Sequence, residues 1–213
     1  MAHPAQFTPR DPRRADPAGP FPAQPQDGNG TIEAMDPRPD HGETSYVGFG
    51  RMKGRRAVIT GGDSGIDRAE QFDRTFRTNV YAGFWLCKPA LPLMKPGGAI
   101  ISVTSVQGFD PSEHLLDFAA TKFALRGFAG ARAKQVASRG IRLNAAAPGP
   151  SWTPLQPSGG QTDEKVQHFG ENSRFDRPGQ PAEIAAAFVF LATQESGDMT
   201  GETIGVTGGH PVA

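Results

Sequence analysis

Cysteine is almost absent from this 213-residue chain: Cys87 stands alone, which excludes an internal disulfide framework and fits a reducing compartment. An excess of charge is absent too. Twenty-two Lys and Arg balance twenty-two Asp and Glu, so bulk electrostatics give no reason to expect nucleic acid or an anionic membrane as partner. The one basic cluster beside a motif, Arg51 to Arg56, is short and reads as a solvated lead-in to a strand. No window approaches the apolar length of a membrane span, and the opening MAHPAQFTPRDPRRADPAGP has no apolar run of the signal-peptide kind. The expected setting is therefore cytoplasmic. His3, His41, His114, His168 and His210 are too scattered to reproduce metal-ligand spacing, and no metal site is expected.

What is present is unevenly distributed. Residues 1–50 are crowded with Pro, Gly, Gln and Asp, and their few apolar residues follow no helical or strand period. That composition cannot bury enough surface to offset ordering the chain, so they read as an extended arm, either docked onto a neighbour through Tyr46 and Phe49 or left solvated and disordered. Order is expected from Arg55 onward. RRAVITGGDSGIDRA is a β-branched run, a Gly-rich turn and a helix-forming stretch. Phe72, Phe76, Val80 and Phe84 then recur at spacings of four and predict one apolar helical face, with Pro89 and Pro92 expected to kink or end that helix. AIISVTS predicts a buried strand, and the long helix that follows it stops at Gly140. IRLNAAAPG and ETIGVTGG predict two more strands, separated by a polar loop and a helix opened by Pro181. Strands alternating with helices give an α/β class: a Rossmann-like parallel sheet with helices on both faces, reduced to about four strands.

The chemistry concentrates in three places. TGGDSGID, from Thr60 to Asp67, falls where a strand hands over to a helix, so its small residues and the helix N-terminus suit a pyrophosphate. Ser105 precedes the stretch LLDFAATKFAL, which contains Lys122, and NAAAPGPSWT ends a later strand. This order of motifs resembles the short-chain dehydrogenase/reductase family, in which TGxxxGxG, a Ser, YxxxK and a strand-end PG recur. SYVGFGRMKGRRAVITGGDSGI, DRTFRTNVYAGFWLCK, APGPSWTPL, RPGQPAE and VTGG are similar to the glucose and ribitol dehydrogenase-like branch, arm included. The resemblance implies hydride transfer between NAD or NADP and a small-molecule secondary alcohol or carbonyl. It implies that Thr60, Gly61, Ser64, Gly65 and Ile66 hold the cofactor pyrophosphate, and that Pro148, Gly149 and Thr153 contact its nicotinamide end. Ser105 would polarise the substrate oxygen, Lys122 would contact the nicotinamide ribose and lower the pKa of the neighbouring acid, and Asn79 would position a proton-relay water.

Against that family the chain departs in three ways. Phe118 occupies the Tyr position of YxxxK, which keeps a ring but supplies no ionisable group; a positioned general acid is worth about 10² to 10⁴ in rate. His114, one helical turn earlier, reads as a solvated residue rather than a substitute. Between DRA and EQFDRTF the family's second to fourth strands and their helices have no counterpart, a loss of roughly 60 to 80 residues that removes the ribose-reading position. The two flanking helices are thereby fused, and a chain break is expected near Arg68 to Asp73, or else one of the helices leaves its family position. Asp67 stands where the family's turn has its last Gly, placing a carboxylate against the pyrophosphate. The expectations are weak dinucleotide binding, little or no turnover, and a homo-oligomer that covers apolar surface left bare. The alternative is a non-catalytic remnant acting as an oligomerising scaffold, and the proposed division is an arm at 1–50 and a truncated Rossmann-like domain at 51–213.

Overall fold

The structure, a computed structural model, describes residues 9–26, 30–43, 45–57, 69–158 and 161–212. Its residues gather into two units, Met1–Arg51 with Gly149–Ala186 and Val206–His210, and Met52–Pro148 with Ala187–Gly205 and Pro211–Ala213. The Gly-rich turn of Thr60, Gly61, Ser64, Gly65, Ile66 and Asp67, and the core of the first predicted strand, lie outside the described residues.

In the second unit, α1 (Ala69–Phe76) runs into a π-helical turn (Arg77–Tyr81) and on into α2 (Ala82–Leu93). The helix is continuous from Ala69, so the break expected near Arg68 to Asp73 does not fall at residues 69–73. Nor does Pro89 end it. Pro89 and Pro92 both lie inside α2, which stops one residue after the second. Pro89 is exposed, as is Trp85 one turn earlier, so water can reach the carbonyl that loses its helical partner.

Three strands are described: β1 (Ala99–Val103), β2 (Arg142–Pro148) and β3 (Thr203–Val206), hydrogen-bonded in that order. β1 and β2 pair in parallel, from Ala99 opposite Arg142 to Val103 opposite Ala146. The Ala145 and Gly149 amides donate to Glu202 and Val206, ascending both chains as parallel pairing requires. Parallel pairing needs a crossover, and α3 (Leu116–Val136) supplies the one between β1 and β2. It ends through a 3₁₀ turn at Gly140, whose φ of 66° makes it the left-handed cap that the sequence predicts. Ala129 and Ala133 of α3 are 1% exposed and share a core with Leu143 and Ala145 of β2 and Cys87 and Leu91 of α2. Small side chains there let the helix lie close to the sheet.

The first unit corrects the reading of the arm as unable to bury apolar surface. Apart from one 3₁₀ turn at Pro12–Arg14 the described arm lacks regular structure, yet Phe21 and Met35 are buried with Trp152 and Val166. Phe21 stacks on Trp152 with ring centroids 4.2 Å apart, and the Trp152 indole donates to the Pro37 carbonyl at 2.6 Å. Arg177, 4% exposed at its side chain, donates to the Pro12 carbonyl, pairs with Asp16 at 3.4 Å and binds both oxygens of Glu183. Two rings and one fork-shaped cation compensate for the arm's missing periodicity. Phe49 is 60% exposed in the single chain. α6 (Pro181–Ala192) opens at Pro181 as expected, after the short helices α4 (Leu155–Ser158) and α5 (Asp163–Gln167).

Candidate active site

Four sequence-predicted residues, Asn79, Ser105, Phe118 and Lys122, belong to the second unit, and three physical devices hold them. The first joins the end of β1 to α3. Thr104, 1% exposed, donates its hydroxyl to the Lys122 carbonyl at 2.7 Å, and the Lys122 ammonium donates to the Val103 carbonyl at 3.1 Å. Two hydrogen bonds in opposite senses thus fix where Lys122 stands. Gly108 completes the junction: a Cβ there would lie 2.8 Å from Thr104 Oγ1 and 3.0 Å from the Lys122 carbonyl, so the turn after Ser105 approaches α3 only as glycine. Ser105 itself caps that turn by accepting from the Gln107 amide, and its hydroxyl donates weakly to the Pro148 carbonyl at 3.4 Å.

The second device is a polar ladder between α1–α2 and α3. Thr75 donates to Asp117 at 2.6 Å, and Asn79 donates to Thr121 at 3.0 Å. The rungs are four residues apart on both helices, and Gly83, four further on, faces Leu125 at 3.8 Å from the position a Cβ would take. The face against α3 is therefore Thr75, Asn79, Gly83, Cys87 and Leu91, small and polar at its start and apolar at its end. This corrects the predicted row: Phe72 and Phe84 are each 42% exposed, with Phe76 and Val80 half-buried. A spacing of four drifts on an α-helix of 3.6 residues per turn, and the wider turn at Arg77–Tyr81 restores the phase just where Asn79 must meet Thr121. The signal was available as a second stripe of small residues at the same spacing, beside a louder aromatic one.

The third device replaces the missing phenol. Lys122 Nζ lies 5.0 Å from the centroid of the Phe118 ring, a cation–π contact. Burial without a carboxylate partner pushes the Lys122 ammonium down to about 8. His114 is exposed and pairs with Glu113 at 3.4 Å, so it does not stand in for the lost acid. Pro148 ends β2 in the second unit, whereas Gly149 and Thr153 belong to the first. Gly149 also admits no side chain, since a Cβ would stand 2.6 Å from the Thr207 carbonyl oxygen. Thr104, Gly108, Thr75, Asp117 and Thr121 are the supporting residues that the sequence motifs do not announce.

Comparison with known proteins adds the ancestry of this arrangement. A family model described as "Enoyl-(Acyl carrier protein) reductase" matches residues 60–210. The uncharacterized oxidoreductase YghA of Escherichia coli K12 is 36% identical over 287 aligned positions, taking in 94% of this chain and 98% of that protein. An alignment of 287 positions against 213 residues leaves at least 74 positions without a residue of this chain, in agreement with the size of the expected internal loss. The glucose and ribitol dehydrogenase of Daucus carota is 43% identical over 66% of this chain, and the chain spans 48% of its length. Among solved structures, a 3-oxoacyl-[acyl-carrier protein] reductase with bound NAD from Brucella melitensis superposes with a TM-score of 0.60 at 30% identity, covering 69% of this chain and 54% of that one.

Proposed function

This chain belongs to the short-chain dehydrogenase/reductase family, and from that premise we propose that it retains the framework for hydride transfer between NAD or NADP and a small secondary alcohol or carbonyl, at a rate held down by Phe118. The observation that carries the reading is the double hydrogen bond at Lys122 beside Ser105, since it sets an amine and a hydroxyl at the end of one strand without help from Phe118. Lys122 suits a cofactor ribose by the chemistry of its donors. The ammonium has three N–H groups and, among the described residues, one hydrogen-bond acceptor, the Val103 carbonyl. Ribose hydroxyls would take the others, with Pro148 toward the nicotinamide. A bound nicotinamide would supply or accept the hydride; the chain's own part is to hold the substrate oxygen at Ser105 and to keep water from Lys122. The relative with NAD bound supports a nicotinamide cofactor without separating NAD from NADP.

Proton delivery is where this chain differs. With Phe at 118 the helix offers no phenol to protonate or deprotonate the substrate oxygen, and losing that positioned acid would cost about 10² or more in rate. A second reading, a non-catalytic scaffold, draws on the bare apolar side of α2, where Trp85 is 60% and Leu93 83% exposed. A second copy of the chain is the cover we propose for it, in the cytoplasm. Titrating the protein with NADH and NADPH while following nicotinamide fluorescence tests the first reading. Saturation at millimolar concentration is the expected result, saturation at micromolar concentration would contradict weak binding, and no saturation would leave the scaffold.

A further inference from the structure

We propose that Lys122 is a covalent site for small aldehydes, its amine adding to the carbonyl carbon to form an imine. The group invites this because it has lost its family task. An amine placed to act on a phenol now faces the Phe118 ring at 5.0 Å, and its one described hydrogen bond, to the Val103 carbonyl, leaves the nitrogen lone pair uncommitted once the proton departs. Among the described residues no carboxylate lies within ion-pairing distance to hold the proton on. Asp117, on the same helix, is taken up by Thr75, and Arg126, one turn further, stacks on Phe109 at 4.0 Å. The surroundings on α3 and β1 are thus a ring face, a carbonyl and a buried stem, which is how proteins make lysines nucleophilic.

The chemistry balances without any redox partner. The neutral amine attacks the aldehyde carbon, forming the C–N bond. A proton moves to the oxygen, and the carbinolamine loses water to leave C=N. Ser105, two residues beyond the Val103 whose carbonyl holds the amine, carries the hydroxyl that would give the departing oxygen a hydrogen bond. Only 9% of Lys122 is exposed, so the class of ligand is short, planar and unbranched at the carbonyl. With the ammonium pushed down to about 8, roughly a quarter of Lys122 is neutral at pH 7.5, against about one part in a thousand for an ordinary lysine. The site shares its carbonyl class with the proposed hydride transfer but needs no dinucleotide, so the two can fail separately.

The test uses the intact protein, propionaldehyde, and sodium cyanoborohydride to trap the imine as a secondary amine, at pH 7.5 and without nucleotide. Adducts are then mapped by peptide mass spectrometry over all six lysines. The expected result is modification of Lys122 at least about 10-fold faster than of Lys53, Lys88, Lys95, Lys134 or Lys165, which are exposed, with the preference lost in urea. Lys122→Arg should abolish that adduct while leaving the others at their rates, with circular dichroism confirming the fold. Equal labelling of all six, or an unmodified Lys122 in the folded protein, would overturn the proposal.

Discussion

Two parts of the second unit received opposite treatment. Around α3 and β2 the packing is closed: Leu143, Ala145, Ala146 and Ala147 are fully buried, and Ala129, Ala133 and Val136 pack with Leu143 and Ala145. Around α2 and β1 much is open: β1 is half-exposed along most of its length, and Phe84, Trp85, Leu86 and Leu93 face outward. The two parts meet through small residues and hydrogen bonds, and Lys122 on α3 is tied to the end of β1 by its bonds with Thr104 and Val103. The difference sets beside at least 74 aligned positions without a residue of this chain both an assembled junction between β1 and α3 and exposed apolar side chains on α2.

That contrast can be broken by truncating one leucine on each side. Leu143→Ala should cost about 2 to 5 kcal/mol in denaturant unfolding, because it opens a cavity in closed core, whereas Leu93→Ala should change stability by less than about 0.5 kcal/mol. Equal effects would mean that the open side is covered after all. Lys122 comes next, through pH. Below about 8 both folded and unfolded chains hold its proton, and the burial penalty is fully present. Between about 8 and its ordinary 10.5 the folded chain has released the proton and the unfolded chain still binds it, so stability climbs with pH by about 2 to 3 kcal/mol. The difference between wild type and Lys122→Met should show that rise; a flat difference would place the amine in water.

Smaller effects probe the seam. Thr75→Val leaves the buried Asp117 without its hydroxyl donor and should cost about 1 to 3 kcal/mol, and Asn79→Ala about 1 kcal/mol, both measured by thermal or urea unfolding. If neither matters, the ladder does not join the two parts. The bare side of α2 gives the mildest expectation for stability: Trp85→Lys should leave folding nearly unchanged while shifting light scattering toward a smaller species. A monodisperse monomer of the wild type would remove the second copy from the account.

How far the sequence carries can be judged residue by residue. β1 and the Gly140 stop are legible because a β-branched run and a left-handed glycine are local signals, and α3 and β2 because that stop divides a long helical stretch from a short apolar run. Lys122 and Ser105 are legible because resemblance preserves their spacing. The face of α1 and α2 is misread because aromatic periodicity outshines Thr75, Asn79 and Gly83, whose worth lies in partners 42 residues away. The arm is misread because composition counts residues, whereas Phe21, Met35 and the Arg177 fork act as single anchors. Gly108 carries no sequence signal at all, since what it needs is the nearness of a helix not yet built.

The central claim is that the framework around Lys122 is assembled and lacks only a proton donor. Phe118→Tyr restores one hydroxyl beside an amine already held by the Val103 carbonyl, on a residue whose own carbonyl Thr104 fixes, where positive charge favours the phenolate. Hydride transfer by the wild type and by Phe118→Tyr should be measured over a panel of sugars, polyols and short ketones, at millimolar NADH, NAD, NADPH and NADP. The account predicts a gain of at least about 10²-fold on some member of the panel, the lower end of what a positioned acid contributes. Appreciable turnover by the wild type, or a folded Phe118→Tyr that binds dinucleotide and stays silent, would contradict it.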